Sequence, residues 1–243
     1  VSAEVEFVEL PTKADVAQRA AERLVAELIP LTASENVAHV ALTGGSLGIA
    51  TLEAIADLPE RADVAWSRVH LWWSDERFVP RFDAERNSRQ ARVALLDALD
   101  LPDVNVHEPW ATEDGTLDDA ARAYADELAA HAAEGAQAPA FDVCLLGMGP
   151  DAHVASLFPG RDEVHVTGAT VLPVRNSPKP PPERVTFTLP VINASARVWL
   201  VVSGADKAEA VAQVRSGADA SDAPAAAVRG TAETVMFVAR DAL

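Results

Sequence analysis

The densest chemistry in the chain lies between Gly147 and Pro159, in the run GMGPDAHVASLFP. Two glycines and a proline force a sharp turn there, directly after an apolar stretch. Asp151 and His153 stand two residues apart, close enough to share one site. A histidine beside a carboxylate is a standard general base near neutral pH. The same histidine also reads as a core residue or a metal ligand. No second His or Cys stands at ligand spacing from it, which argues against a metal. The other five histidines, His39, His70, His107, His131 and His165, lack such a setting. His39 and His70 fall inside apolar runs and are assigned to packing.

Three further motifs can bind or turn over an anion. In Leu42 to Ser46 (LTGGS), the paired Gly44 and Gly45 let backbone N–H groups approach a phosphate, and a helix starting at Ser46 adds free amides and a positive dipole end. The alternative is a tight turn with Ser46 as an ordinary N-cap. The motif is neither a Walker loop nor GxGxxG, so a nucleotide is not indicated. In Ser74 to Arg77 (SDER), Asp75 can orient a base and Arg77 can clamp an oxyanion or phosphate; a surface ion-pair cluster is the competing reading. The segments SPKPPPERVTFTLP (177–190) and VVSGADK (201–207) supply Lys179, Arg184 and Lys207. Lys207 follows Gly204 at a helix start and suits an ammonium aimed at a bound phosphate, whereas Lys179 reads equally as a solvated charge. No serine or cysteine nucleophile signature is present, since Gly45-Ser46-Leu47-Gly48 has the wrong frame for Gly-x-Ser-x-Gly. Cys144 lies inside an apolar run and reads as a buried hydrophobe.

The elements that must position these residues alternate. Short apolar runs at Val37–Leu42, Val69–Trp73, Phe141–Leu146, Val198–Val202 and Val235–Ala239 read as strands buried on both faces. Helical patterns separate them. One runs over Lys13–Leu31 behind a capping-box start at Thr12 and Asp15. Another follows the stripe Leu117, Ala121, Tyr124 and Leu128. A third, capped by Asn87 or Ser88, reaches Leu99, and a fourth covers Asp206–Val214. This alternation predicts an α/β fold, a mainly parallel, Rossmann-like sheet flanked by helices on both faces. Ligands bind such sheets at the carboxyl ends of strands, where the first four runs end in Gly, Ser or Asp. The proline-rich stretch Ser177–Glu183 reads as a rigid surface loop, and Ala132–Pro139 and Gly217–Pro224 as mobile loops. One domain over 1–243 is the simplest organisation.

Composition sets the outer bounds. The chain has 243 residues, 49% of them hydrophobic, which excludes a disordered chain. It carries 20 Lys+Arg against 37 Asp+Glu, a net charge of −17. That balance argues against nucleic acid and against an anionic membrane as partners. A single cysteine rules out an internal disulfide and fits a reducing, cytoplasmic setting. No apolar run approaches the length of a membrane helix, and Val1–Leu10, lacking a basic start, does not read as a secretory signal. Only Lys13, Lys179 and Lys207 are lysines. With so few cations, anion recognition requires Arg77, Arg184 and Lys207 to converge from distant segments on one positive pocket.

Taken in order, the blocks ALTGGS, LWWSDERFVP, NSRQARVALLDAL, FDVCLLGMGPDAHVASLFPG, SPKPPPERVTFTLPVIN and VVSGADK, spanning residues 41–207, resemble the 6-phosphogluconolactonase family. That family shares its fold with glucosamine-6-phosphate deaminases. The resemblance implies hydrolysis of 6-phospho-D-glucono-1,5-lactone in the oxidative pentose phosphate pathway, without metal or cofactor. His153 would be the base, with Asp151 or Asp75 orienting it. Gly44, Gly45, Ser46, Arg77, Arg184 and Lys207 would hold the phosphate, and Arg77 or the N–H groups of Gly147–Gly149 would stabilise the oxyanion. The partner would be a small sugar-phosphate lactone, and the protein a monomer or weak homo-oligomer. The chain departs from the family pattern at Ala152 and Val154, where Gly and Thr are usual, and at Leu47-Gly48 after Ser46. If position 152 needs a positive φ, the alanine methyl is strained. The deaminase relatives carry a glutamate five residues after the histidine; Phe158 stands there instead. An amino-sugar-phosphate deaminase and a non-catalytic sugar-phosphate sensor remain the alternatives.

Overall fold

The computed structural model describes residues 4–34 and 36–243; the first three residues of the N-terminal stretch lie outside them. The rest of that stretch forms an edge strand, β1 (Val5–Leu10). Helix α1 (Lys13–Ala33) follows, and the Thr12/Asp15 capping box is present as expected. Then come β2 (Ala38–Leu42), α2 (Gly45–Asp57), β3 (Val69–Trp73), the short β4 (Asp75–Arg77), α3 (Asn87–Ala94) and α4 (Leu117–Ala130). The second half holds β5 (Val143–Gly147), β6 (Val171–Val174), β7 (Arg184–Phe187), α5 (Leu189–Asn193), β8 (Arg197–Val202), α6 (Ala208–Ser216) and β9 (Glu233–Ala239).

Six strands make one sheet in the order β1-β9-β8-β5-β2-β3, with every pairing parallel. Its inner strands are largely apolar because both faces are covered, whereas the edge strand β1 carries the exposed Glu6 and Glu9. Val40, Leu42, Leu71, Trp73, Leu145 and Trp199 pack on one side with α1 and α2. Their neighbours Ala41, Trp72, Cys144, Leu146, Val198 and Leu200 pack on the other with α4 and α6. Period-two alternation along each strand splits one apolar run between two cores. Cys144 is one of these buried residues, and burial pushes its thiol up to about 12. The chain leaves β2 toward β3 on one side and places β5 on the other. The switch point therefore lies between the carboxyl ends of β2 and β5, where open α/β sheets bind ligands.

A small antiparallel sheet, β4-β7-β6, was not foreseen. Arg77 pairs with Arg184 across it, which fixes two of the expected cations side by side. Helix α3 also differs from expectation. Neither Asn87 nor Ser88 caps it, and it ends at Ala94 rather than Leu99. The N-cap residue, Arg86, offers no side-chain acceptor. Instead the buried Glu76 carboxylate accepts from Asn87 N at 2.7 Å and Ser88 N at 2.8 Å. A long-range cap of this kind has no local sequence signature.

Helix α4 has a local cap. Thr116 Oγ1 accepts from Asp119 N at 3.2 Å, and Asp119 Oδ2 accepts from Thr116 N at 3.3 Å. Thr116 is exposed, so Thr116→Ala removes the cap with little packing loss. We expect a loss of about 1 kcal/mol, read as a Tm lowered by about 2–4 °C for a chain of this size.

Candidate active site

The loops after β2, β3, β5 and β8 meet in one cleft of about 240 Å³. Gly44, Gly45, Ser46, Asp75, Arg77, His153, Arg184 and Lys207 all line it, as does Lys179. The required convergence of cations from distant segments is therefore met, with one more lysine than expected.

Helix α2 enters the cleft by its N-terminus. Gly44 is the N-cap residue and Gly45 the first helical one, so Ser46 is not the cap. Gly45 has φ +76°, in the left-handed region, which glycine adopts without strain. Gly44 lies so close to Asn87 that a Cβ would overlap its side-chain amide. The first-turn amides of α2 thus face a cationic cleft with no side-chain cap occupying them.

The loop after β5 is a closed turn. Gly149 N donates to His153 O and Ala152 N to Gly149 O, each at 3.0 Å. Ala152 has φ +60° and Ala155 φ +48°, so the strain anticipated for the methyl at 152 is present, of order 1–2 kcal/mol. Ala225 N donates to Ala152 O at 2.9 Å, and Gly160 N to Ser221 O at 2.7 Å. The Gly217–Pro224 loop and the residues after it thus brace the site from behind.

Asp151 Oδ1 lies 2.5 Å from His153 Nδ1. Asp151, not Asp75, is the carboxylate that contacts the ring. Burial raises the Asp151 carboxyl, but the His153 hydrogen bond and the charges of His153 and Lys179 outweigh it. The net result holds it well below the usual carboxylate range. With Nδ1 engaged by Asp151, Nε2 of a neutral ring carries the free lone pair. Phe158 packs against the imidazole, with ring centroids 4.6 Å apart. An apolar ring therefore occupies the position where the deaminases carry glutamate.

Asp75 has a different role. It is buried, accepts from Ser156 Oγ at 2.7 Å and lies 3.8 Å from Arg184 Nη1. Arg184 is 5% exposed, and its nitrogens are committed. Nε donates to Pro181 O at 3.1 Å, Nη2 to Lys179 O at 3.1 Å and Pro180 O at 3.2 Å, and Nη1 to Ser156 Oγ at 3.4 Å. Arg184 lines the cleft as expected of a phosphate ligand, and it also holds the proline-rich loop in place. That loop delivers Lys179, whose Nζ lies 3.3 Å from both Asp151 Oδ1 and His153 Nδ1. Sequence alone left open whether Lys179 joins the site, because a surface loop folding back over a site has no periodic signal.

Arg77 is oriented by Glu85 O at 2.9 Å and by Asn87 Oδ1, and its buried Nε has no hydrogen-bond partner among the described residues. Lys207 Nζ is 3.1 Å from Asp206. The amides of Gly147 and Gly149 are taken by Thr43 Oγ1 and His153 O, so those two N–H groups are not free for an oxyanion.

These features define a Rossmann-like α/β protein with a cationic cleft at its switch point and a His–Asp pair on the rim. The model of the glucosamine-6-phosphate isomerase/6-phosphogluconolactonase family matches residues 11–237, and the chain belongs to that family. It is 49% identical over 229 residues to a 6-phosphogluconolactonase of Streptomyces coelicolor, covering 92% of this chain and 87% of the relative. It is 48% identical over 227 residues to a 6-phosphogluconolactonase of Mycobacterium leprae, covering 92% and 91%. The 6-phosphogluconolactonase structure from Trypanosoma brucei superposes with a TM-score of 0.87 at 25% identity, covering 99% of this chain and 98% of that one.

Proposed function

We propose that the chain is a 6-phosphogluconolactonase, hydrolysing 6-phospho-D-glucono-1,5-lactone to 6-phosphogluconate. The observation that carries this reading is the His153–Asp151 pair set beside a ring of cations with Phe158 beneath the imidazole. Arg77, Lys207 and the first-turn amides of α2 hold the phosphate. Arg184 and Asp75 position the Lys179 loop. His153 Nε2 takes a proton from water as its oxygen bonds to the lactone carbonyl carbon. The oxyanion is stabilised by the cationic field of Arg77 and Lys179. The bond from that carbon to the ring oxygen then breaks, and His153 returns the proton to the ring oxygen. An activated ester needs only a base, a water and charge stabilisation, so the reaction is metal- and cofactor-independent. We read residues 1–243 as one domain and the protein as cytoplasmic, monomeric or weakly associating. Its partner is the small phosphorylated lactone, with no nucleic acid or membrane surface. Among the described residues no helix is long and apolar enough to cross a membrane.

The test is a coupled assay in which glucose-6-phosphate dehydrogenase generates fresh lactone and its decay is followed with and without the protein. Faster decay is expected. Ammonia release from glucosamine 6-phosphate, without lactone hydrolysis, would establish the deaminase instead. Phosphosugar binding without turnover would establish the sensor. In the same assay Arg77→Ala should raise KM by roughly 10–150-fold, corresponding to one lost charge-assisted hydrogen bond of about 1.5–3 kcal/mol.

A further inference from the structure

At the opposite end of the sheet from the cleft, four histidines gather that the linear sequence scatters over 93 positions. His39 and His70 sit near the starts of the adjacent strands β2 and β3, paired in register. His107 comes from the segment before α4, and His131 closes that helix at its C-terminus. The expectation that His39 and His70 merely pack is therefore incomplete. Trp72 Nε1 donates to His39 Nδ1 at 3.1 Å, which fixes that ring as part of the wall.

The other three present one ligand nitrogen each, all within 4.8 Å of one another. The outer nitrogens of His107 and His131 already have partners of the kind that metal-bound histidines use. His107 Nδ1 is 2.8 Å from Glu127 Oε1, and His131 Nδ1 is 3.0 Å from Glu127 O. These contacts direct Nε2 of both rings inward, in the carboxylate–histidine and carbonyl–histidine arrangements that orient metal ligands. His70 Nδ1 lies 2.8 Å from His107 Nε2, so without a metal one proton joins them. Trp72 stacks on His107 with centroids 3.8 Å apart and stiffens the set. Burial first, and then the neighbouring histidines, keep His107 at about 4 despite the opposing pull of Glu127, and burial lowers His70 as well.

We propose that His70 Nδ1, His107 Nε2 and His131 Nε2 form a binding site for one borderline divalent transition metal ion, such as Zn²⁺ or Co²⁺. Three imidazoles and no thiolate suit such ions and disfavour Mg²⁺ or Ca²⁺. A metal–nitrogen distance of about 2.0–2.1 Å in a tetrahedral set requires the His70–His107 nitrogen pair, now 2.8 Å apart, to part slightly and His131 Nε2 to draw in. His131, at a helix end and 28% exposed, has the freedom to do so. On binding, His70 shifts its proton to Nε2 and the ion takes the place of the shared hydrogen. A water completes a tetrahedral set. The ion would tie β3, the segment before α4 and the end of α4 together. It is remote from the lactone cleft, and the proposal does not depend on the lactonase reading.

The test is a titration of the tag-free full-length protein with Co²⁺, followed by displacement with Zn²⁺. One Co²⁺ per chain, with the strong visible absorption of tetrahedral geometry, is expected, together with a raised Tm. His131→Ala should abolish the band while leaving the lactone decay rate unchanged. Glu127→Gln should weaken binding about 10–100-fold, and His153→Ala should leave it intact. Absence of a saturable Co²⁺ band, a band that survives His131→Ala, or one that disappears in His153→Ala would overturn the site and leave the four rings as a packed aromatic cluster.

Discussion

His153→Ala should lower the enzymatic rate of lactone hydrolysis by about 10²–10⁴, the usual contribution of a positioned general base. That corresponds to about 2.7–5.4 kcal/mol of barrier. The geometry sets both the direction and the kind of loss. Asp151 occupies Nδ1, leaving Nε2 as the acceptor, and the imidazole is 15% exposed, reachable from the cleft. Removing it takes away the acceptor for the water proton and the donor for the leaving ring oxygen. It touches none of the groups assigned to the phosphate, so KM should stay within a few-fold. The lactone also opens spontaneously, and the variant rate must be taken above that background. Full activity in His153→Ala would remove the base assignment and leave the cleft as a binding site only.

The second large effect falls on a residue with no functional group. Gly149→Ala should reduce kcat by roughly 10²-fold, the cost of moving a catalytic group by about 1 Å. Gly149 is not in the left-handed region, so backbone strain is not the reason. A Cβ there would overlap His153 Nδ1 and Cε1 and Asp151 Oδ1. The turn cannot yield easily, because Gly149 N already donates to His153 O at 3.0 Å and Ala225 N holds Ala152 O. The imidazole and its carboxylate must therefore give way. A near-normal KM with a fallen kcat, and a Tm close to the parent chain's, would identify displacement of the pair. An unchanged kcat would mean that the pair tolerates the shift and that its position is not critical.

Much of the site was legible in one dimension because its motifs stand at strand ends, where turn residues and chemistry coincide. Gly44, Gly45, Asp151 and His153 sit within a few residues of the carboxyl ends of β2 and β5. Helix α1 was legible for the same local reason, since its cap lies three residues from its partner. Helix α3 was misjudged because its cap is Glu76, eleven residues from Asn87 along the chain and brought to it by a strand. The roles of the cations divided similarly. Their convergence followed from their scarcity, but Arg184 proved to be committed to the backbone of the loop that carries Lys179.

By itself the sequence determined the α/β class and the strand-end positions of the chemistry, because period-two and helical patterns and turn residues act over short distances, and its motif blocks carried the resemblance to the family. Only the tertiary structure decided which carboxylate meets the histidine, what each cleft cation touches, and that four scattered histidines gather at the far rim. Those outcomes depend on contacts between strands and loops distant in the chain, where partner choice is set by packing and leaves no spacing to read.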